Sequence, residues 1–322
     1  MAPNIDEWQE QMKAEFYFHE LISRCIPIIT DTIESAKIAK KHGFEAMDFK
    51  DFDFSSHQNT ALLLISTYET YDKLKYLWDV CKSTVMHLSM VKSGCSPQTI
   101  DYALTKLLSV RFNDALKRRA EAYADMLSTH CVEFGSQGES IFCQFGEEVL
   151  VVNNSDVVEA GYLYSVAEFL EASIINLINR KPSFTLDGIF CFDGIIFLCN
   201  NADQKAKFCV PLQNLMERCS TGKNKIIIKN NIAEKIIVGD MDVTDEYFSL
   251  FGKYDYNSIA MEFAVGCADY ADAVDWSKNS LLNESTIGAY IGIGMGLQMP
   301  HIDFISSKAK IINKAPHQKI KQ

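Results

Sequence analysis

The sequence predicts a mixed α/β and α+β fold: an N-terminal helix-rich α/β half with a short parallel sheet, then a C-terminal β-rich half whose antiparallel strands carry the site. Two observations predict it. An apolar run, an amphipathic helix and a second apolar run (ALLLIS, TYETYDKLKYLWDVC, TVMHLSM) follow one another between Ala61 and Met90, as in a βαβ unit. Beyond Cys131 long helical patterns give way to short β-branched or aromatic segments separated by Gly, Asn and Asp, the mark of antiparallel strands and hairpins.

Taken in order, the pattern from Glu7 to Lys41 is charged on one side and apolar on the other, and His42-Gly43 closes it as a helix stop. The βαβ unit follows. Ser96-Pro97 then supplies a cap and a first-turn proline for a helical pattern running to Thr129. In the second half CVEFGS, ESIFCQF, EVLVVN, GIFCFDG, IIFLCN, KFCVPL, KIIIKN and EKIIVGD read as strands, with short helices near 165–178 and 211–219. The expected division is a helix-rich α/β domain over 1–130, a β-rich domain with a metal-site-like cluster over 131–311, and a basic, disordered tail over 312–322.

Charge excludes some functions. With 42 acidic against 31 basic residues the chain lacks the cationic face that nucleic acid or an anionic membrane surface requires. No apolar run approaches the roughly 20 residues of a membrane helix. Ten cysteines, none in a CxxC pair, and an opening MAPNIDEWQEQMK without an apolar leader fit a soluble protein of the reducing cytoplasm.

Four stretches of the second half hold ionisable groups among apolar neighbours: GEEVLVV (146–152), IAMEFAVG (259–266), NESTIGAYIGIGMG (283–296) and PHIDF (300–304). A carboxylate inside an apolar strand, as Glu262 would be, costs several kcal/mol unless a cation or donors meet it. His301 and Asp303, two apart, point to the same face of a strand and are the nearest suitable partners, with Glu148 a third carboxylate. One imidazole with oxygen ligands suits Fe(II), Mn(II) or Zn(II) better than Mg(II). Singly, Glu262 reads as an edge or salt-bridged residue and His301-x-Asp303 as a surface strand. GIGMG lacks the third glycine of a nucleotide loop and reads as close backbone packing.

The order Glu-Glu-Val, Glu in IAMEFAVG, Asn-Glu then G-x-Y-I-G-I-G, and His-x-Asp resembles the M29 aminopeptidase (aminopeptidase T) superfamily, which includes 2,5-dihydroxypyridine dioxygenases. The resemblance implies metal ligands at Glu148 (or Glu147), Glu262, His301 and Asp303. It implies departures too: Tyr290 stands where the peptidases have a histidine ligand, and Leu297 where they have a tyrosine. That leaves a one-metal site of Glu262, His301 and Asp303, with Glu148 or Tyr290 as acid or base and His130 a weaker choice. The expected function is a mononuclear metal-dependent enzyme, a dioxygenase or hydrolase acting on a small aromatic or a peptide. The alternative is a metal-free, non-catalytic peptide-binding protein of a ribosomal-peptide natural-product pathway of the crocagin type, with a precursor peptide as partner. The relatives' habit implies self-association.

Overall fold

The first helix pattern is interrupted by a buried strand. The computed structural model describes residues 12–77, 79–252, 256–294 and 298–316, so Glu7–Gln11 of the expected helix, Trp78 and Leu297 lie outside the described residues. The chain runs β1 (Met12–Lys13), α1 (Ala14–Ile22), β2 (Ile28–Thr30) and α2 (Ile33–Lys41). Pro27 lacks a backbone donor and drives its predecessor to an extended conformation, so the apolar Ile26–Ile29 run becomes a strand between two helices. Thr32 caps α2 by accepting from the Ser35 amide at 3.1 Å, and Gly43, at φ +84°, ends it where the sequence placed the stop.

The βαβ unit forms as expected. After β3 (Ala46–Asp48), β4 (Thr60–Leu64), α3 (Tyr68–Leu77) and β5 (Thr84–Leu88) follow. The helical pattern that begins at Ser96 is two helices, α4 (Pro97–Ser109) and α5 (Phe112–Ser128), parted at Val110, whose extended backbone follows a Ser109 hydroxyl that donates to the Lys106 carbonyl.

The second half comprises β6 (Thr129–Ser136), β7 (Glu139–Phe145), β8 (Leu150–Val151), β9 (Val157–Val158), β10 (Leu163–Ser165), β11 (Glu171–Ile175), β12 (Phe184–Cys191), β13 (Gly194–Leu198), α6 (Ala202–Arg218), β14 (Lys225–Lys229), β15 (Ile232–Val238), β16 (Met241–Asp242), α7 (Thr244–Phe251), β17 (Ala260–Gly266), β18 (Gly288–Ile293), β19 (His301–Ser306) and β20 (Lys310–Pro316). Two segments depart from expectation. KFCVPL lies inside α6, not in a strand: Asn201 caps the helix, and Phe208, Leu212, Leu215 and Met216 recur at helical spacing on its buried face. The stretch 165–178 is a short turn and then β11, not a helix, because Ala172 and Ile174 face the core while Glu171 and Ser173 face away. The basic tail starts later than residue 312. Ile311 packs against the core, and β20 pairs with β6 through Pro316, giving that strand a neighbour; residues 317–322 lie outside the described residues.

The first sheet is parallel, in the order β10-β5-β4-β2-β3. Its β10 comes from beyond residue 130, so the sheet draws on both expected domains. Two antiparallel sheets, β13-β19-β18-β17-β11-β8 and β16-β15-β14-β12-β7-β6-β20, stack on each other. Between them Phe134 meets Phe263 with ring centroids 5.2 Å apart, and Phe192 meets Phe304 at 5.1 Å. Since strand side chains alternate, every second residue of β17, β18 and β19 points away from this sandwich toward the parallel-sheet half. That outer face carries the site. Among the described residues no helix is long and apolar enough to cross a membrane.

Candidate functional site

Strand register explains how distant residues meet. Glu262 on β17 sits opposite Gly292 on β18, and Gly292 sits opposite Asp303 on β19. A Cβ at Gly292 would lie 2.5 Å from Cε1 and 2.8 Å from Nε2 of His301, and 2.9 Å from Oδ1 of Asp303. The glycine therefore opens the space in which two carboxylates and an imidazole approach one another. On β11, Ser173 presents its hydroxyl to Oε1 of Glu262, and from β18 the Tyr290 hydroxyl donates to the same oxygen at 3.0 Å.

Nε2 of His301 lies 3.1 Å from Oε2 of Glu262 and 2.8 Å from Oδ1 of Asp303. Its Nδ1 donates to the Gly294 carbonyl at 2.6 Å, which fixes the ring and keeps Nε2 aimed at the carboxylates. Asp303 is fully buried and neither of its oxygens receives an aligned hydrogen bond. Electrostatics follow from this crowding. Burial disfavours the His301 imidazolium, yet Asp303 and Glu262 outweigh it and hold the ring well above its usual range. Burial would likewise raise Glu262, but His301, Ser173 and Tyr290 bring it below the usual carboxylate range. Asp303 is pushed up by burial despite His301.

Sequence reasoning missed further carboxylates. Glu171, at the start of β11, and Glu284, after the turn at Leu281–Asn283, are each 5 % exposed. Burial, followed by the charge of Glu262 on Glu171 and of Glu171 on Glu284, pushes both well above the usual range. Burial also raises Glu168, whose Oε1 accepts from the Ser165 amide at 3.0 Å. The signal for Glu171 was the alternation of EASII, hidden by reading that stretch as a helix; Glu284 stood in a quoted motif without a role. Together with His87 on β5, and Ser89 and Lys92 just past its carboxyl end, these residues line a cavity of about 280 Å³ between the parallel sheet and the outer face of the sandwich. Burial and then Lys92 lower His87 to about 4, so its ring is neutral near pH 7.

Other expected residues are elsewhere. Glu148 does not join the cluster: it is exposed in the turn between β7 and β8, beside Glu147, which pairs with Lys181 at 3.1 Å in solvent. EVLVVN contributes only a two-residue strand after that turn, so nothing carries Glu148 inward. His130 is exposed on β6.

The donor set accommodates a divalent ion. One ligand atom each from Glu262, His301 and Asp303 lie within 4.8 Å of one another, and the anchored imidazole with the Glu262 and Asp303 carboxylates beside its Nε2 supplies the one nitrogen and two oxygens of a facial arrangement.

The family model described as Crocagin biosynthetic protein CgnE/B matches residues 23–314. No curated protein matches. Among solved structures the chain is similar to 2,5-dihydroxypyridine dioxygenase from Pseudomonas putida KT2440, at 11% identity and a TM-score of 0.47, over 94% of this chain and 96% of that one. The family match supports the crocagin-type branch of the expected kinship; the aminopeptidase branch finds no support.

Proposed function

The chain belongs to the crocagin biosynthetic protein CgnE/B family, and from that premise we propose that it serves a ribosomal-peptide biosynthetic pathway by binding a precursor peptide without itself transforming it. The family match across residues 23–314 carries this reading. The chemistry of the cluster agrees with it. His301, as imidazolium, is a cation already shared by Glu262 and Asp303, and Tyr290 with Ser173 occupies the remaining Glu262 oxygen. The network thus satisfies Glu262 with groups of the chain's own, and its members are positioned to hold protons and to shape the cavity wall.

Titration calorimetry of the full chain with short peptides encoded beside its gene tests this. A dissociation constant of about 1 μM or below, unchanged by exhaustive chelation, is expected. Absence of binding to any of them overturns the reading.

The three-residue cluster sustains a second reading, a mononuclear Fe(II), Mn(II) or Zn(II) enzyme acting on a small aromatic or a peptide. Glu262, His301 and Asp303 would hold the ion, which supplies Lewis acidity toward a bound substrate or water. Elemental analysis of freshly purified protein decides: about one equivalent of metal, lost in His301→Ala, favours the enzyme and displaces the binding reading.

A further inference from the structure

Four carboxylates, from Glu168, Glu171, Glu262 and Glu284, line the cavity of about 280 Å³. They are not equally satisfied. Glu262 has His301, Tyr290 and Ser173, and Glu168 has the Ser165 amide. Glu171 is 5 % exposed, and its Oε2 has no hydrogen-bond partner. Its cationic neighbour Arg119 turns instead to carbonyls, including that of Glu171 itself. A buried acceptor left bare costs about 1–3 kcal/mol, and the Glu171 residue that carries it is part of the cavity wall.

We propose that Glu171 and Glu284, which adjoin the cluster of Glu262, His301 and Asp303, form a subsite for a primary ammonium group. The proposal rests on the peptide-binding reading, and names the group by which the peptide is held. The cavity is below the usual size of a site for a whole small molecule, so it takes a chain terminus or one side chain and leaves the peptide body outside. An ammonium is a compact charge with three donors that can turn toward acceptors on several sides, whereas a guanidinium presents a flat fork suited to a single carboxylate. Tyr71 and Tyr290 also line the wall, and the Tyr71 ring already has the Lys92 ammonium 5.7 Å from its centroid, the kind of contact such a cation makes. The ammonium belongs either to a peptide N-terminus or to a lysine side chain.

The test uses the full chain and small probes: glycyl-leucinamide against its N-acetyl form for the terminus, and N-acetyl-lysine methylamide against its norleucine counterpart for the side chain. NMR titration reads the affinities. At least one ammonium probe should bind about tenfold or more tighter than its neutral partner, and the pair that does so identifies the source. Glu171→Gln and Glu284→Gln, near-isosteric changes that leave a group unable to become a carboxylate when an ammonium arrives, should bring that ratio to about one. Equal affinities within both pairs on the unaltered chain overturn the proposal without recourse to a variant, as does a ratio that persists in both folded variants. So does a cavity that answers to Mn²⁺ or Zn²⁺ through Glu171 and to no ammonium. Peptides that bind with no such discrimination would remove the subsite and leave the peptide reading standing; ammonium discrimination in a chain that binds no peptide would do the reverse.

Discussion

At the scale of single residues, the site depends on a side chain that is missing. Gly292 separates Glu262 from Asp303 in the register, and a methyl group there would overlap the His301 ring. Gly292→Ala should therefore displace His301 and destabilise the fold by about 1–3 kcal/mol, the usual range for overpacking; urea unfolding, together with the NMR titration of His301, measures both. An unchanged His301 titration would show that the approach is slack. A second prediction concerns pH. Glu171 and Glu284 hold their protons in the folded chain to higher pH than in the unfolded one, so the native state binds more protons and stability falls as pH rises above the ordinary carboxyl range. Glu284→Gln is neutral at every pH. Its stability relative to the parent should be nearly level at about pH 4 and improve as pH rises, by at most roughly 1.4 kcal/mol per unit. Parallel stability curves would refute it. Glu262, His301 and Asp303 were legible because a lone acid in an apolar strand demands a partner of complementary type. Glu171 was not, because its meaning depends on which face of a strand it occupies, and Glu148 misled because a motif's order does not say whether its turn faces inward.

Elements were legible where period and punctuation agreed. β4, α3 and β5 follow from two short apolar runs on either side of an amphipathic pattern, and β17 and β19 from short apolar stretches that hold Glu262 and the His301-x-Asp303 pair. α6 was partly hidden, because Phe208, Cys209 and Val210 ahead of Pro211 look like an apolar strand end until the helical spacing over the whole of 202–218 is considered. Such choices are settled by packing partners that local sequence does not name. α5 shows how strongly one element can depend on another. Its Arg119, 3 % exposed, donates to the carbonyls of Asn153, Ser155 and Glu171 and lies 5.3 Å from the ring centroids of both Tyr123 and Phe169. This single side chain ties the helix to the strand that carries Glu171. Arg119→Ala leaves three carbonyls without their donor and removes the packing, so a loss of roughly 3 kcal/mol or more is expected in denaturant unfolding, together with weaker ammonium discrimination as β11 loosens. A loss under about 1 kcal/mol would mean that water replaces the guanidinium.

At the scale of the whole molecule, the two halves that the sequence separates at residue 130 share their structure. β10 lies beside β5 in the parallel sheet, the Tyr68 hydroxyl donates to the Cys199 carbonyl at 2.9 Å, and one apolar cluster joins Phe18, Leu104 and Phe112 to Phe169, Leu198 and Leu282. The cavity lies in that seam: His87 and Lys92 come from the first half, and Glu171, Glu262 and Glu284 from the second. A site built across a seam keeps its geometry only if the seam holds. The chain should therefore unfold as one cooperative unit despite its length. Two buried thiols report on the halves separately, Cys81 beside the parallel sheet and Cys143 within the sandwich. Their labelling in urea, read peptide by peptide, should give coincident midpoints. Midpoints separated by about 1 M urea would show that the halves open independently, and the cavity would then be a contact between two modules able to part, one that a bound peptide has to close.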